Sequence, residues 1–222
     1  ASATSAGLAF DAATNDAVIS GLFSLNNYKY VDYVLGEEST ADETFSKEEQ
    51  SLVKNYLQQG GCLLVSGAEI AWDLDYKGTF ADKNFYNNYL KSAFKYDDPF
   101  NTPGTYYTVK GTEESYFEKF SNFMFDDGTH GTINVKYADH IVAMHGSEPI
   151  FEYVGPILDA CAGVAFSGIF DGGTKPGKMV NLGFPLESIV NDSIRHKVYY
   201  RIINYFNLAS NTLKDVQQTS LI

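Results

Sequence analysis

The stretch CLLVSGAEIAWDLD, Cys62 to Asp75, decides how this chain is read. Its opening residues are apolar without alternation, the pattern of a short strand buried on both faces. Ser66-Gly67-Ala68-Glu69 ends the run abruptly, and helix-forming residues follow. Strand, sharp turn and helix is how many α/β hydrolytic enzymes present a nucleophile. Two roles compete for Ser66. It is either a nucleophile, which needs a base and an oxyanion hole, or a hydroxyl that caps the following helix.

Upstream, YKYVDYVLG at 28–36 reads as a strand closed by Gly36. After the acidic loop GEESTADETFSKEEQ, Ser46 and Glu49 fit a capping box. The helix they open would bury Leu52, Val53, Tyr56 and Leu57 and stop at Gly60-Gly61. Strand, helix, strand with short connections predicts a crossover onto a parallel sheet. Asn15-Asp16 precede a short helix, AVISGLFSL, and a further helix is expected around Asn84–Phe94.

Between about 100 and 160 the pattern changes. YYTVKG, TINVKY, HIVAMHG and PIFEYVG are short alternating runs between turn residues, which predicts an antiparallel insertion or sheet extension. AGVAFSGIF and KMVNLGF flank DGGTKPG as a hairpin. An amphipathic helix over Ser193–Leu208 turns Ile194, Val198, Ile202, Ile203 and Phe206 inward. The expected organisation is a lead-in at 1–9, one α/β domain over 10–208 and a tail at 209–222. The expected fold is a three-layer sandwich with a mainly parallel, flavodoxin-like sheet and an antiparallel extension.

The chain has 222 residues, 44% hydrophobic and 20% charged, enough for one substantial core. Its net charge of −12 repels phosphate backbones, which argues against nucleic acid and anionic membranes as partners. No apolar run approaches the roughly 20 residues of a membrane span. The chain begins Ala1-Ser2-Ala3 without Met, as a processed or excised piece would. Aromatics reach 15%, which fits first a large aromatic core with Tyr hydroxyls at its edge, and second a surface that contacts glycans or other proteins. Cys62 and Cys161 adjoin apolar runs and read as buried small hydrophobes, with a disulfide neither implied nor excluded.

Metal signals are thin. Asp73, Asp75 and Asp82, with Asp126, Asp127 and His130 in DDGTH, form oxygen-rich loops, but none has the spacing of a standard Ca²⁺ loop. Turn chemistry is the better explanation of Asp-Asp-Gly. His140, His145 and His196 share no ligand spacing. No cofactor is therefore expected, Ca²⁺ being the one cation the loops would suit. Trp72 reads either as core or, exposed beside carboxylates, as a sugar platform.

Two segments carry a family resemblance: FSKEEQSLVKNYLQQGGCLLVSGAEIAWDLD with the following FYNNYLK, and GKMVNLGFPLESI before the last helix. Over roughly residues 10–208 they resemble a domain of secreted bacterial multidomain proteins of the xanthan-lyase and golvesin-like type. The broader shape is similar to the class I glutamine-amidotransferase-like fold. In those enzymes a nucleophilic Cys sits in G-x-C-x-G after a buried strand, and F-H-P-E supplies the base and its orienting acid. Here Leu64-Val65-Ser66-Gly67-Ala68 replaces the first motif and Phe184-Pro185-Leu186-Glu187 the second, so the His is missing. A neutral Ser without an imidazole is a poor nucleophile.

The resemblance implies a secreted, surface or periplasmic accessory domain without amidotransferase chemistry, working beside other modules of its chain on polysaccharide or cell-wall glycan. It also places Glu69 and Glu187 at one sheet edge, where ligands of open α/β sheets bind. They would act as acid and base or hold a cation. Otherwise Glu69 caps helix amides and Glu187 pairs with Arg195. The candidate site is thus Ser66, Glu69 and Glu187 for chemistry and Gly67, Trp72 and Phe184 for ligand contact. The competing functions are a Ser66-dependent esterase or amidase and a purely structural spacer.

Overall fold

The computed structural model describes residues 1–155 and 160–209. Short helices α1 (Ser2–Ser5) and α2 (Asn15–Ile19) precede strand β1 (Tyr30–Gly36), helix α3 (Lys47–Gln58) and strand β2 (Cys62–Gly67). A π-helical turn (Trp72–Lys77), helix α4 (Phe80–Asn88) and strand β3 (Ser92–Asp97) follow. Strands β4 (Thr108–Gly111), β5 (Phe123–Met124), β6 (Asp139–Ala143), β7 (Glu148–Tyr153), β8 (Cys161–Ile169) and β9 (Pro176–Leu182) lead to helix α5 (Asp192–Asn207).

Seven strands form one sheet in the order β1-β2-β9-β8-β7-β4-β5, and β3 pairs with β6 separately. In the large sheet β1–β2 and β2–β9 run parallel, whereas β9–β8, β8–β7, β7–β4 and β4–β5 are antiparallel. The expectation of a mainly parallel sheet is corrected accordingly. The reason lies in the connections. Helix α3 lets β2 return parallel to β1, but the few residues between β8 and β9 permit only an antiparallel return. Of the alternating runs in the middle of the chain, those of β4 and β7, with β5, extend this sheet antiparallel, whereas that of β6 pairs apart with β3.

The pleat splits the core in two. Cys62 and Leu64 of β2 join Val180 and Leu182 of β9 on the face covered by Val198, Ile202 and Phe206 of α5. Leu63 and Val65 join Met179 on the opposite face, under Val53, Tyr56 and Leu57 of α3 and Phe85 and Tyr86 of α4. Helices therefore cover both faces of the parallel part. Aromatics fill the antiparallel part, where Phe117, Phe123, Phe125, Phe151 and Phe184 pack ring against ring.

Several local expectations hold in detail. Ser46 and Glu49 make the reciprocal capping box of α3. The inward residues of α5 are buried, with Ile194 packed at the margin of the core. Others change. Leu52 is exposed, and the buried face of α3 instead includes Glu49 and Gln50, whose side chains bond the Ser46 amide and the Phe45 carbonyl. The cap of α2 is Thr14, not Asn15. The helix expected over Asn84–Phe94 begins earlier, at Phe80, behind a Thr79–Asp82 capping box, and its last third is strand β3. TINVKY is not a strand. There Asp126, wholly buried, accepts the amides of Gly128, His130 and Thr132 and pins the segment as a loop. Burial opposes its charge, but these bonds outweigh it and hold the carboxyl well below its ordinary range. Cys62 and Cys161 are both free, on strands separated by β9. Of the tail, residues 210–222 lie outside the described residues.

Candidate functional site

The turn after β2 brings its close neighbours together through glycine. A Cβ on Gly67 would meet Ile70, Leu35 and the Gly36 carbonyl at 3.0–3.2 Å, so only a hydrogen lets β1 and β2 approach there. The Ala68 amide then bonds the Gly36 carbonyl at 2.8 Å. Gly67 is thus a packing residue rather than a ligand contact.

Ser66 lies inside β2, paired with Val34 and Leu182, and is wholly buried. Its hydroxyl has no hydrogen-bond partner, so it neither caps the helix nor meets a base. The histidines are placed elsewhere. His140 is buried between Tyr96 and Phe100, and His196 contacts Ser5. Burial first, then Lys95, lowers the His140 imidazole to about 4. His130 and His145 are exposed.

The apex of the elbow is Glu69, the residue of the turn with left-handed backbone, at φ 63°. It stands at the centre of Gly67-Ala68-Glu69-Ile70-Ala71, so the strand–turn–helix pattern presents a carboxylate where Ser66 was expected to act. Glu69 is half-buried and accepts the Ser39 hydroxyl at 2.6 Å. Its charge helps to raise the carboxyls of Glu37 and Asp97, after burial, which is the larger cause in each.

Behind this turn lies Asp139, wholly buried. Its Oδ2 accepts the Ala71 amide at 2.7 Å, anchoring the start of the helical segment. Its Oδ1 has no partner, and the same holds for Asp97 Oδ1. The two residues are cross-strand partners in the β3–β6 register. Burial, and then Asp97 and Glu69, push the Asp139 carboxyl well above its ordinary range against the pull of the Ala71 amide. Neighbouring Asp98 is also buried, at φ 58°, and burial with Asp97 raises it to about 8.

Glu187 sits at the same edge, with Gly36 beside its Oε1. Its charged neighbours are Arg195 and Asp32, so it does not share the partners of Glu69. Arg195 bonds Asp192 and the Ile189 carbonyl instead of pairing with Glu187. Asp32 of β1 is exposed, and desolvation by the surrounding protein, then Glu187, raises it to about 7. Phe184 is wholly buried and stacks on Phe125 at 5.3 Å, which makes it core and no ligand contact.

Trp72 is half-buried and opens the π-helical turn. The wide i→i+5 turn stacks Trp72 on Tyr76, centroids 4.7 Å apart, and Phe94 of β3 meets both rings. Tyr76 is 53% exposed, so the stack reaches the surface. Asp73 takes the Thr44 amide and Asp75 the Phe94 amide, which fixes the turn from two sides. Asp73, Asp75 and Asp82 thus serve structure, as does Asp126. Among the described residues no group of three or more His, Cys, Asp or Glu is arranged to hold a metal ion. Two shallow depressions, one with Ile19 and Leu52 and one with His196 and Tyr200, are lined by none of these strand-end residues.

Sequence reading missed Asp97, Asp98, Asp139 and Tyr76. The acids carry no local motif, because the β3–β6 pairing that unites them joins distant segments. Tyr76 had a signal, the i,i+4 spacing from Trp72, had the π-helical turn been foreseen.

No family model and no curated protein matches the chain. Three solved β-galactosidases are similar in fold. The enzyme from Rahnella sp. R3 has a TM-score of 0.52 at 12% identity, over 92% of this chain and 25% of the enzyme. That from Bacillus circulans sp. alkalophilus has 0.52 at 13%, over 85% and 24%. A GH42 enzyme from G. stearothermophilus has 0.50 at 14%, over 83% and 22%. This chain spans about a quarter of their length, and likeness at such identities shows the fold alone.

Proposed function

We propose that this is a non-catalytic, glycan-binding accessory domain whose binding face is the Trp72–Tyr76–Phe94 stack beside Glu69. The carrying observation is the π-helical turn that displays two stacked rings at the exit of the sheet's strand-end elbow. Aromatic faces suit the apolar C–H faces of sugars, and neighbouring carboxylates accept sugar hydroxyls. Hydrolysis through Ser66 has no support, since a buried, unpartnered hydroxyl lacks both substrate access and a base.

The parallel part, β1-β2-β9 between α3 and α5, supports kinship with the class I amidotransferase-like, flavodoxin-like folds, while the antiparallel part departs from them. The resemblance to domains of the xanthan-lyase type supports a secreted or surface setting and neighbouring catalytic modules. No helix among the described residues is long and apolar enough to cross a membrane.

A spacer role is the second reading, favoured by the shallow depressions that avoid the strand ends. Titration calorimetry with short β-linked gluco-oligosaccharides separates the two. Binding that Trp72→Ala and Tyr76→Ala each weaken by roughly tenfold supports the platform. Absence of binding to any neutral or charged oligosaccharide leaves the spacer.

A further inference from the structure

We propose that the saccharide taken by the Trp72–Tyr76 platform is an amino sugar bearing a protonated amine. This deepens the glycan reading and rests on it. The platform already accommodates an ammonium of its own. Lys77 Nζ lies 4.7 Å from the Trp72 ring centroid and 5.0 Å from that of Tyr76. A ligand amine would take the place of a tethered lysine that the rings demonstrably suit.

The surroundings ask for positive charge. Glu69 acts as a like charge on Glu37, Asp97 and Asp139, and Asp97 acts so on its cross-strand partner Asp139. The Asp139 carboxylate accepts the amide of Ala71, the residue before Trp72, which ties it to the platform. Its Oδ1, in a residue with no exposed surface, is left without a donor, as is Oδ1 of its cross-strand partner Asp97. The ion pairs of the described residues, Lys110–Glu152 and Arg195–Asp192, touch none of these acids. Lys95 is the nearby cation on β3, but it is exposed and lies over Tyr96. Among the described residues no group of three or more acids is arranged for a metal ion, and the rings that hold the Lys77 ammonium point to an organic cation as the counter-charge. A uronate would meet this cluster, and a net charge of −12, with repulsion.

The test is calorimetric binding, at about pH 6 and low salt, where an ordinary amine is charged. Glucosamine oligomers are compared with N-acetylglucosamine, glucose and glucuronate oligomers of equal length. The inference expects the free-amine series to bind about tenfold more tightly than its acetylated twin, with the gap shrinking as salt screens the acids. Glu69→Gln, checked for an unchanged melting profile, should close that gap. Lys77→Ala should tighten amine binding about three-fold by freeing the rings. Equal binding of amine and acetylated series, or a preference for glucuronate, overturns the amino-sugar inference and leaves the glycan reading standing. If no series binds in a manner sensitive to Trp72→Ala, both fall.

Discussion

Ser66 and Glu69, three residues apart, carry opposite fates that only their backbone explains. Ser66 is still in the strand, its hydroxyl sealed in and unsatisfied. A buried hydroxyl without a partner costs about 1–3 kcal/mol. Ser66→Ala should therefore leave stability unchanged or raise it by up to about 1 kcal/mol, as read by urea unfolding. Glu69 pays the opposite way, holding a left-handed backbone that costs a non-glycine residue about 1 kcal/mol. Glu69→Gly should gain roughly that amount while weakening ligand binding, so stability and affinity would move apart. Phe184, wholly enclosed by Phe125 and Phe151, should lose about 3–5 kcal/mol as Ala. Asp98 gives a pH signature. Its carboxyl moves from 3.8 to about 8 on folding, so between those values the folded state holds a proton that the unfolded state lacks. Stability should fall as pH rises through that window, and Asp98→Asn should flatten the fall in melting temperature. Asp126 works in the opposite sense, but below the ordinary carboxylate range and so outside this window.

At the scale of elements, what was legible in the sequence is what short-range chemistry dictates. The capping box at Ser46 and Glu49, the wholly buried run of β2 and the inward stripe of α5 need only neighbours within a few residues. The β8–β9 hairpin was readable for the same reason. What was not legible depends on distant partners. Ser92–Phe94, read as the end of the helix expected around Asn84–Phe94, becomes part of β3 because β6 arrives to pair with it. The π-helical turn is set by outside anchors, Asp73 on Thr44 and Asp75 on Phe94, and by Gly78, where a Cβ would come within 2.1 Å of the Leu74 carbonyl. Gly78→Ala should break that turn, and fluorescence of the chain's single tryptophan, Trp72, would report the loss of stacking.

For the molecule as a whole, the parallel and antiparallel parts divide the work. The parallel part brings the ends of β1, β2 and β9 to one edge and builds the elbow there. The antiparallel part supplies the aromatic core that braces it, and the small β3–β6 sheet delivers the acids and Phe94. The candidate site was half legible. Glu69 and Trp72 stood in the quoted stretch, whereas Asp97, Asp139 and Phe94 reach them only through the fold. The most direct test of this account is the affinity of Trp72→Ala and Ser66→Ala for the same short oligosaccharides by titration calorimetry. The account predicts that Trp72→Ala loses roughly tenfold or more and that Ser66→Ala binds as the parent does. Weakened binding in Ser66→Ala with none in Trp72→Ala would return the site to the buried serine and contradict it.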